Sequence, residues 1–318
     1  MRMSIPHRSI KAVIALALTT VLTACVTNKE LGNPDGWEAI LPKKDPQLAK
    51  LVPQDIAQRG SITVGANTPY APAEFKDSDG TIIGYEVDLI KAAGAVLGLE
   101  VNVRQMDFNL ILPAISAGTL DAGASAFTDT EERQKNYDFV DFFNFGSAWA
   151  TQPGNEHNVD PHNACGMTVA VQKGTYSDTD EVQGKSDDCV AAGKEPINKL
   201  VYATADAAAN ATILKQAEAY SSDSPVIAYA VERSNGRLVQ AGEIFDKAQF
   251  GWAVNKNAPL GPALAAALQK LVDDGSYNRI LTPWGLEDGA IDKVTFNLKP
   301  FTVPTANNSS QPRTAQRK

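Results

Sequence analysis

Apolar and polar positions alternate along the chain with two different periods. In Ser61–Gly65 every second residue is apolar, which is the period of a β-strand. After Gly84, apolar or small residues recur every three or four positions as far as Leu97, which predicts a helix that ends at Gly98. The strand pattern returns at Val101–Val103, Asp121–Ala126, Thr168–Val171, Leu200–Tyr202 and Ala219–Ser222. Strands separated by helices indicate α/β layers with mostly parallel sheets.

Three local patterns add detail to this alternation. The sequence Asp77–Gly80 is typical of a hairpin turn, and Thr81–Ile83 continues it as a strand. Pro113 is expected near the start of a helix that Gly118 ends. A short polar helix carrying Arg133 should follow the strand at Asp121–Ala126.

The two ends of the chain are not expected to belong to the folded body. Residues 25–48 are mostly polar and interrupted by turn-forming Asn, Pro, Asp and Gly, so they are predicted to be a tether. Residues 302–318 contain no acid and few apolar side chains, which is typical of a disordered tail.

The first 24 residues have the layout of a secretory signal peptide. Arg2, Arg8 and Lys11 precede an apolar run of about 11 residues that ends with small residues before Cys25. This ending resembles the bacterial lipobox, which implies cleavage before Cys25 and a lipid on its sulfur. The alternative is an ordinary signal peptide followed by a chance cysteine. The first interpretation places the mature chain on the extracytoplasmic face of a membrane, held there by its lipid anchor.

Composition excludes several functions. The chain of 318 residues has 29 Lys and Arg against 37 Asp and Glu, a net charge of −8, which disfavours nucleic acid as a partner. Its 43% hydrophobic content permits a large core, and its length suggests about two domains. Three cysteines and three histidines are too few and too scattered to predict a metal site.

The cysteine count has a further consequence. With Cys25 assigned to lipid, Cys165 and Cys189 remain as a pair in an oxidising compartment. A disulfide is the default expectation, and two free thiols are the alternative because sequence does not give their separation.

Sequence motifs of common catalytic chemistry are absent. The chain contains no phosphate-binding loop, no Gly-x-Ser-x-Gly elbow and no His-Glu-x-x-His pair. His157 and His162 lie in a Pro- and Asn-rich stretch that is typical of a solvated loop. We therefore expect no cofactor, and no motif calls for an enzyme.

A set of ordered motifs points to one family. Gly84–Leu89 (Gly-Tyr-Glu-Val-Asp-Leu) is similar to the signature of family 3 extracellular solute-binding proteins, the amino-acid receptors of ABC importers. Further blocks follow the family's order, namely Ile62–Pro72, Asp121–Arg133, Val169–Thr175, Ser222–Pro225 and Asp274–Leu281. The resemblance covers about residues 50–290, and ordered blocks are more specific than one motif.

The resemblance implies a two-lobed periplasmic-binding-protein fold of type II, with mixed, mostly parallel sheets flanked by helices. The first lobe would comprise residues 49–152 and 253–301, and the second lobe residues 153–252. The chain would cross between lobes twice, near Trp149–Thr151 and Gly251–Ala253. An amino acid would lie between the lobes, which close over it.

The family also implies which residues bind the ligand's carboxylate. Arg133 occupies the family's carboxylate-binding position, where the planar guanidinium can hold both oxygens. Thr128 and Tyr176 are expected near helix starts, which favour an anion, and Thr175 in the loop where the second lobe meets the carboxylate. The alternatives are a surface arginine on a charged helix and, for Thr128, a helix N-cap.

Asp223 matches the acid that receives the ligand's ammonium, and Ser125 and Ala126 could add polar groups to the same site. The alternative for Asp223 is an N-cap at a strand-to-helix junction. Tyr70 and Phe108 match the walls around the ligand's side chain, and either could instead be ordinary core. Asn67 takes a position that is often acidic in receptors for basic amino acids, so its neutrality weakens the case for such ligands.

The leading hypothesis is a monomeric, lipid-anchored receptor that captures a small polar amino acid and delivers it to an ABC permease with its ATPase subunit. The second is an enzyme of the periplasmic dehydratase type on the same fold, with Glu86 or Asp223 as its acid or base. The third is the sensing part of a signalling receptor, which the lack of an attached signalling domain disfavours.

Overall fold

Strands with helices between them form most of residues 32–303, the part of the chain that this computed structural model describes. The strands are β1 (Ser61–Ala66), β2 (Phe75–Lys76), β3 (Ile82–Ile83), β4 (Glu100–Gln105), β5 (Ala122–Thr128), β6 (Tyr137–Thr151), β7 (Thr168–Gln172), β8 (Asn198–Tyr202), β9 (Ala219–Asp223), β10 (Val239–Asn255), β11 (Thr295–Phe296) and β12 (Lys299–Pro300). The α-helices are α1 (Gln54–Arg59), α2 (Tyr85–Leu97), α3 (Phe108–Ser116), α4 (Glu131–Gln134), α5 (Val182–Ala191), α6 (Ala205–Ile213), α7 (Ser224–Arg233), α8 (Leu260–Asp273) and α9 (Ser276–Leu281). The predicted signal peptide, Cys25 and residues 304–318 lie outside the described part.

The main sheet runs through two lobes, each of which contributes its own strands to it. In the first lobe β4, β1 and β5 are parallel, and β10 lies antiparallel beside β5. In the second lobe β7 is parallel to both β8 and β9. The long strands β6 and β10 pair with each other and run through both lobes. The predicted two-lobed fold with mixed sheets and two crossings is confirmed, with the parallel pairs inside each lobe and antiparallel pairing along β6 and β10.

The crossings lie within β6 and β10, earlier in each strand than predicted. Trp149–Thr151 already pairs with β9 in the second lobe, and Gly251 pairs with β5 in the first. The passage between lobes therefore falls at about residues 142–146 and 245–249, between these two sets of pairings. The sequence gives no turn signal at this place because β6 continues through the passage and is buried on both sides of it.

Much of the predicted tether packs against the first lobe. The indole nitrogen of Trp37 donates to the carboxylate of Asp88 on α2 at 2.7 Å. The amide of Asp45 donates to the carbonyl of Val96 at 2.8 Å, and Ile40 packs against the core. Docked apolar side chains, spaced too widely to give a periodic pattern, explain why the sequence did not predict this packing.

Local signals gave one helix end correctly and misplaced one proline. Gly98 ends α2 with a left-handed backbone (φ +73°), as predicted. Pro113 lies in the middle of α3 and not near its start, because the helix already begins at Phe108 after the N-cap position of Asp107.

In the second lobe Cys165 and Cys189 are joined by a disulfide, with their Cα atoms 5.6 Å apart. No helix within residues 32–303 is long and apolar enough to cross a membrane.

Candidate ligand-binding site

The predicted site residues meet where the strands of the two lobes end opposite each other. Asn67 follows β1, and Ser125 to Thr128 close β5 in the first lobe. Across the gap, Thr175 and Tyr176 follow β7, and Asp223 ends β9. Parallel strands bring their carboxyl ends to one edge of the sheet, which is where ligands of α/β proteins usually bind. We call the space between these strand ends the cleft.

Direct hydrogen bonds join the two lobes across the cleft. The Tyr70 hydroxyl donates to the Asp223 carboxylate. The amide nitrogen of Gln172 donates to Asn67 Oδ1 at 2.7 Å, and Arg133 Nη2 donates to the carbonyl of Gly174 at 3.2 Å. The lobes are therefore closed on each other, and most of the cleft residues are buried.

Arg133 is held by its own chain and by aromatic rings. Thr130 begins α4 and accepts a hydrogen bond from the Arg133 amide, so Thr130, and not Thr128, is the N-cap. Arg133 Nη1 donates to the Thr128 carbonyl at 2.8 Å, and the guanidinium lies 5.9 Å from the ring centre of Phe108. Burial lowers the pKa of Arg133, and the negative charges of nearby acids oppose this lowering. No carboxylate of residues 32–303 lies within 4 Å of it, so its charge is open to an anion.

Asp223 is a buried carboxyl group aimed at the cleft. It occupies the N-cap position of α7, yet its side chain makes no capping hydrogen bond. Burial raises the pKa of Asp223 to about 7, while the hydrogen bond from Tyr70 and the charge of Arg133 oppose that rise. An ammonium placed beside it would stabilise the ionised form.

Two fully buried glutamates that the sequence did not assign to the ligand site lie under the cleft. Glu74 accepts a hydrogen bond from the Ser125 hydroxyl, and Glu86 accepts one from the Ala126 amide, each at 2.7 Å. Their remaining oxygens have no other protein partner, and the two carboxyl groups lie close enough to interact. Burial raises the pKa of both, that of Glu86 to about 8, so the pair holds at least one proton at neutral pH.

Gly84 makes this carboxyl pair possible. Its φ is +137°, and a Cβ there would overlap the carbonyl oxygen of Ala73. The start of α2, which carries Glu86, can therefore approach the loop that carries Glu74. One signal in the sequence could have indicated Glu74, because it is a charged residue between the apolar residues Ala73 and Phe75.

The remaining predicted residues combine cleft and core roles. Phe108 stacks on Phe127 with ring centres 4.7 Å apart and packs with the hydrophobic cluster of α3, while it also lies beneath Arg133. The Thr175 hydroxyl donates to the Gln172 carbonyl of its own loop at 2.8 Å. Tyr176 is half-buried at the start of a π-helical turn, Ser177–Glu181.

These features define a two-lobed receptor that is closed over a polar cleft and carries one unpaired cationic group and one unpaired acidic group. Residues 62–287 match the family model of bacterial extracellular solute-binding proteins, family 3. The chain therefore belongs to that family, as its motifs predicted. A family of binding proteins also confirms the prediction that the chain is not an enzyme.

The chain is similar to several proteins of known ligand, of which we describe three. The arginine-binding protein ArgT of Corynebacterium glutamicum is 51% identical over 298 residues, which cover 93% of this chain and 98% of ArgT. The ABC transporter glutamine-binding protein GlnH of Bacillus subtilis is 27% identical and covers 88% of this chain and 97% of its own. The solved structure of an ancestral arginine-binding protein bound to arginine is 31% identical with a TM-score of 0.65, over 71% of this chain and 98% of that one.

Proposed function

We propose that this protein is an extracytoplasmic receptor that captures a basic amino acid, arginine above all, and delivers it to an ABC importer. The similarity to ArgT over nearly the whole chain supports arginine as the ligand. The observation that carries the ligand class is the buried Glu74–Glu86 pair beneath the cleft, because its two carboxyl groups can ionise against a cationic side chain.

The backbone groups of an amino acid fit the two unpaired charges of the cleft. Arg133 can hold both carboxylate oxygens at once, and Asp223 can accept the ammonium. Burying either ligand charge without a partner costs several kcal/mol, so this pairing supplies both affinity and orientation. The Tyr70 hydroxyl that now donates to Asp223 would share that acceptor with the ammonium.

The side chain of arginine would reach the glutamates. Ser125 links Glu74 to Asn67, since its hydroxyl donates to Glu74 and accepts from the Asn67 amide at 2.9 Å. A guanidinium arriving there would favour the ionised form of the pair and displace its shared proton. The neutrality of Asn67 argued against a basic ligand, but in this proposal the acidic charge comes from Glu74 and Glu86.

Replacement of Glu74 by Gln tests this assignment. The change keeps size and an acceptor for Ser125 but removes a charge, so we expect arginine affinity to fall at least about tenfold, while glutamine binding does not weaken. Isothermal titration calorimetry with both amino acids measures this difference.

Asp88→Asn is the matched control, because Asp88 is a half-buried acid on α2 that accepts from Trp37 and makes none of the cleft contacts described above. This variant should bind both amino acids as the wild type does. Equal losses for arginine and glutamine in Glu74→Gln would contradict the proposed role.

We also infer the arrangement at the membrane from the sequence. Residues 1–24 would be the signal peptide and Cys25 the lipidated residue of a monomeric, two-lobed body. The family is extracellular, which supports export. Incorporation of labelled palmitate in a bacterial host should be lost in Cys25→Ser, and equal labelling of both proteins would contradict the anchor.

A further inference from the structure

A second pair of buried carboxyl groups lies behind Arg133. Asp129 follows β5 directly, and Asp141 faces it from β6. Asp129 Oδ1 accepts from the Gln134 amide at 2.8 Å, and Asp141 Oδ2 accepts from the Thr295 hydroxyl and the Leu298 amide, each at 2.9 Å. These contacts use one oxygen of each carboxyl group.

The other oxygen of each carboxyl group is buried. Asp129 Oδ2 and Asp141 Oδ1 have no further protein partner, and the two carboxyl groups lie close enough to interact. Ionised carboxylates only accept hydrogen bonds, so two such groups in contact in a buried place need a proton between them. The arrangement therefore favours a pair that shares a proton.

The segment that carries Asp129 also holds Arg133. The preceding residue, Thr128, accepts from the guanidinium through its carbonyl, and the following residue, Thr130, caps the helix of Arg133. The Asp129 amide donates to the Gln249 carbonyl at 3.0 Å, which ties the same segment to β10 where that strand passes between lobes.

We propose that Asp129 and Asp141 form a proton-sharing pair that positions Arg133 for the ligand's carboxylate, so that loss of the shared proton weakens ligand binding. The proposal rests on the proposed function for its ligand. Asp129 and Asp141 are positioning residues, since they reach the ligand only through Arg133 and Thr128.

The charges around the pair decide where the proton resides. Burial raises the pKa of Asp129, and the hydrogen bond from Gln134 and the charges of Arg133 and Lys256 oppose that rise. Burial and the neighbouring Asp129 raise the pKa of Asp141 to about 8. Lys256 is itself paired with Asp138 at 2.8 Å. The groups from the C-terminal hairpin are the uncharged Thr295 and Leu298. The proton thus belongs to Asp141, and it is lost as pH rises through about 8.

Above that pH two like charges would face each other in a buried site, and their repulsion would displace the Asp129 segment. We therefore expect the affinity of the wild type for L-arginine, measured by calorimetry, to fall about tenfold relative to that of Asp129→Asn between about pH 7 and 9.5. In Asp129→Asn the amide can donate to the Asp141 carboxylate without any shared proton. That variant should bind within about threefold of wild type at pH 7 and escape the loss that ionisation of the pair causes. The Glu74–Glu86 pair and Asp223 titrate in both proteins and cancel in this comparison.

Asp88→Asn serves as the control and should keep the wild-type profile. The ammonium of arginine also titrates in this range, but it does so equally for all three proteins, so the difference between variants reports the pair. Parallel pH profiles of the wild type and Asp129→Asn would overturn the proposal.

A measurement without ligand separates this proposal from the proposed function. Carbon-13 NMR of labelled aspartate side chains in the ligand-free protein should show a carboxyl group that titrates at about pH 8. This titration should be missing in Asp141→Asn. By linkage, the loaded wild type should show that titration about one pH unit higher if affinity changes tenfold. Failure to bind arginine at any pH would count against the proposed ligand alone, whereas absence of the titration would overturn the pair.

Discussion

Arg133 and Asp223 are the residues on which ligand capture depends most directly. Each is charged, each lies at the cleft, and neither has an oppositely charged partner within 4 Å among residues 32–303. Carbonyl groups and aromatic rings surround the guanidinium of Arg133, which leaves room for a stronger acceptor. Such unpaired charges reduce the stability of the closed, empty cleft and favour an occupant that carries both opposite charges.

Replacement of Arg133 by Lys tests the geometry of this contact. Lys retains the charge but not the planar fork, so arginine affinity should fall at least about tenfold, with Arg133→Ala weaker still. Calorimetry measures both variants, and thermal unfolding shows whether they fold.

Arg279→Lys is the matched control, because Arg279 forms an exposed ion pair with Glu38 far from the cleft. Wild-type affinity in Arg133→Lys would mean that a point charge suffices and that the two-oxygen contact is not made.

At the scale of elements, the sequence predicted what depends on local chemistry. The strand at Ser61–Gly65 and the helix that ends at Gly98 follow from spacing and from one left-handed glycine. Pro113 was misplaced because a proline tolerated inside a helix has the same local signature as one near its start. The crossings were misplaced because a continuous strand gives no turn signal where it leaves one lobe for the other.

The site residues also fall into those that the sequence predicted and those that only the fold reveals. Motif order placed Arg133 and Asp223 at the cleft, where the structure also has them. Glu74 and Asp129 were not singled out because each acts through a partner far away in sequence, Glu86 and Asp141 respectively. Only the fold brings such carboxyl groups together, so their shared protons are not readable from spacing.

Across the whole molecule, buried carboxyl groups should make stability depend on pH. Burial raises the pKa of Glu86 and Asp141 to about 8, and that of Glu181 and Asp223 to about 7, against about 4 in an unfolded chain. A folded-state pKa above the unfolded value means stabilisation that is complete below the unfolded pKa and is lost as pH rises through the folded one.

We therefore expect the free energy of unfolding of the ligand-free protein to decrease by at least about 2 kcal/mol between about pH 5 and 8. Urea unfolding followed by tryptophan fluorescence at both pH values measures it. Asp138, whose pKa is lowered chiefly by Lys256 against the effect of burial, acts with the opposite sign but below this window. A midpoint that rises from pH 5 to 8 would contradict the raised pKa values.

The position of β10 between β5 and β6 has a consequence for how the chain is made. Three strands of the first lobe, β1, β4 and β5, are synthesised early, but the strand that joins β5 to β6 comes only after the entire second lobe. Helix α8, which covers α2, comes later still. The first lobe therefore cannot complete its sheet before nearly all of the chain has left the ribosome. This order of synthesis leaves the apolar face of the first lobe incomplete until late, so folding of the lobe is delayed.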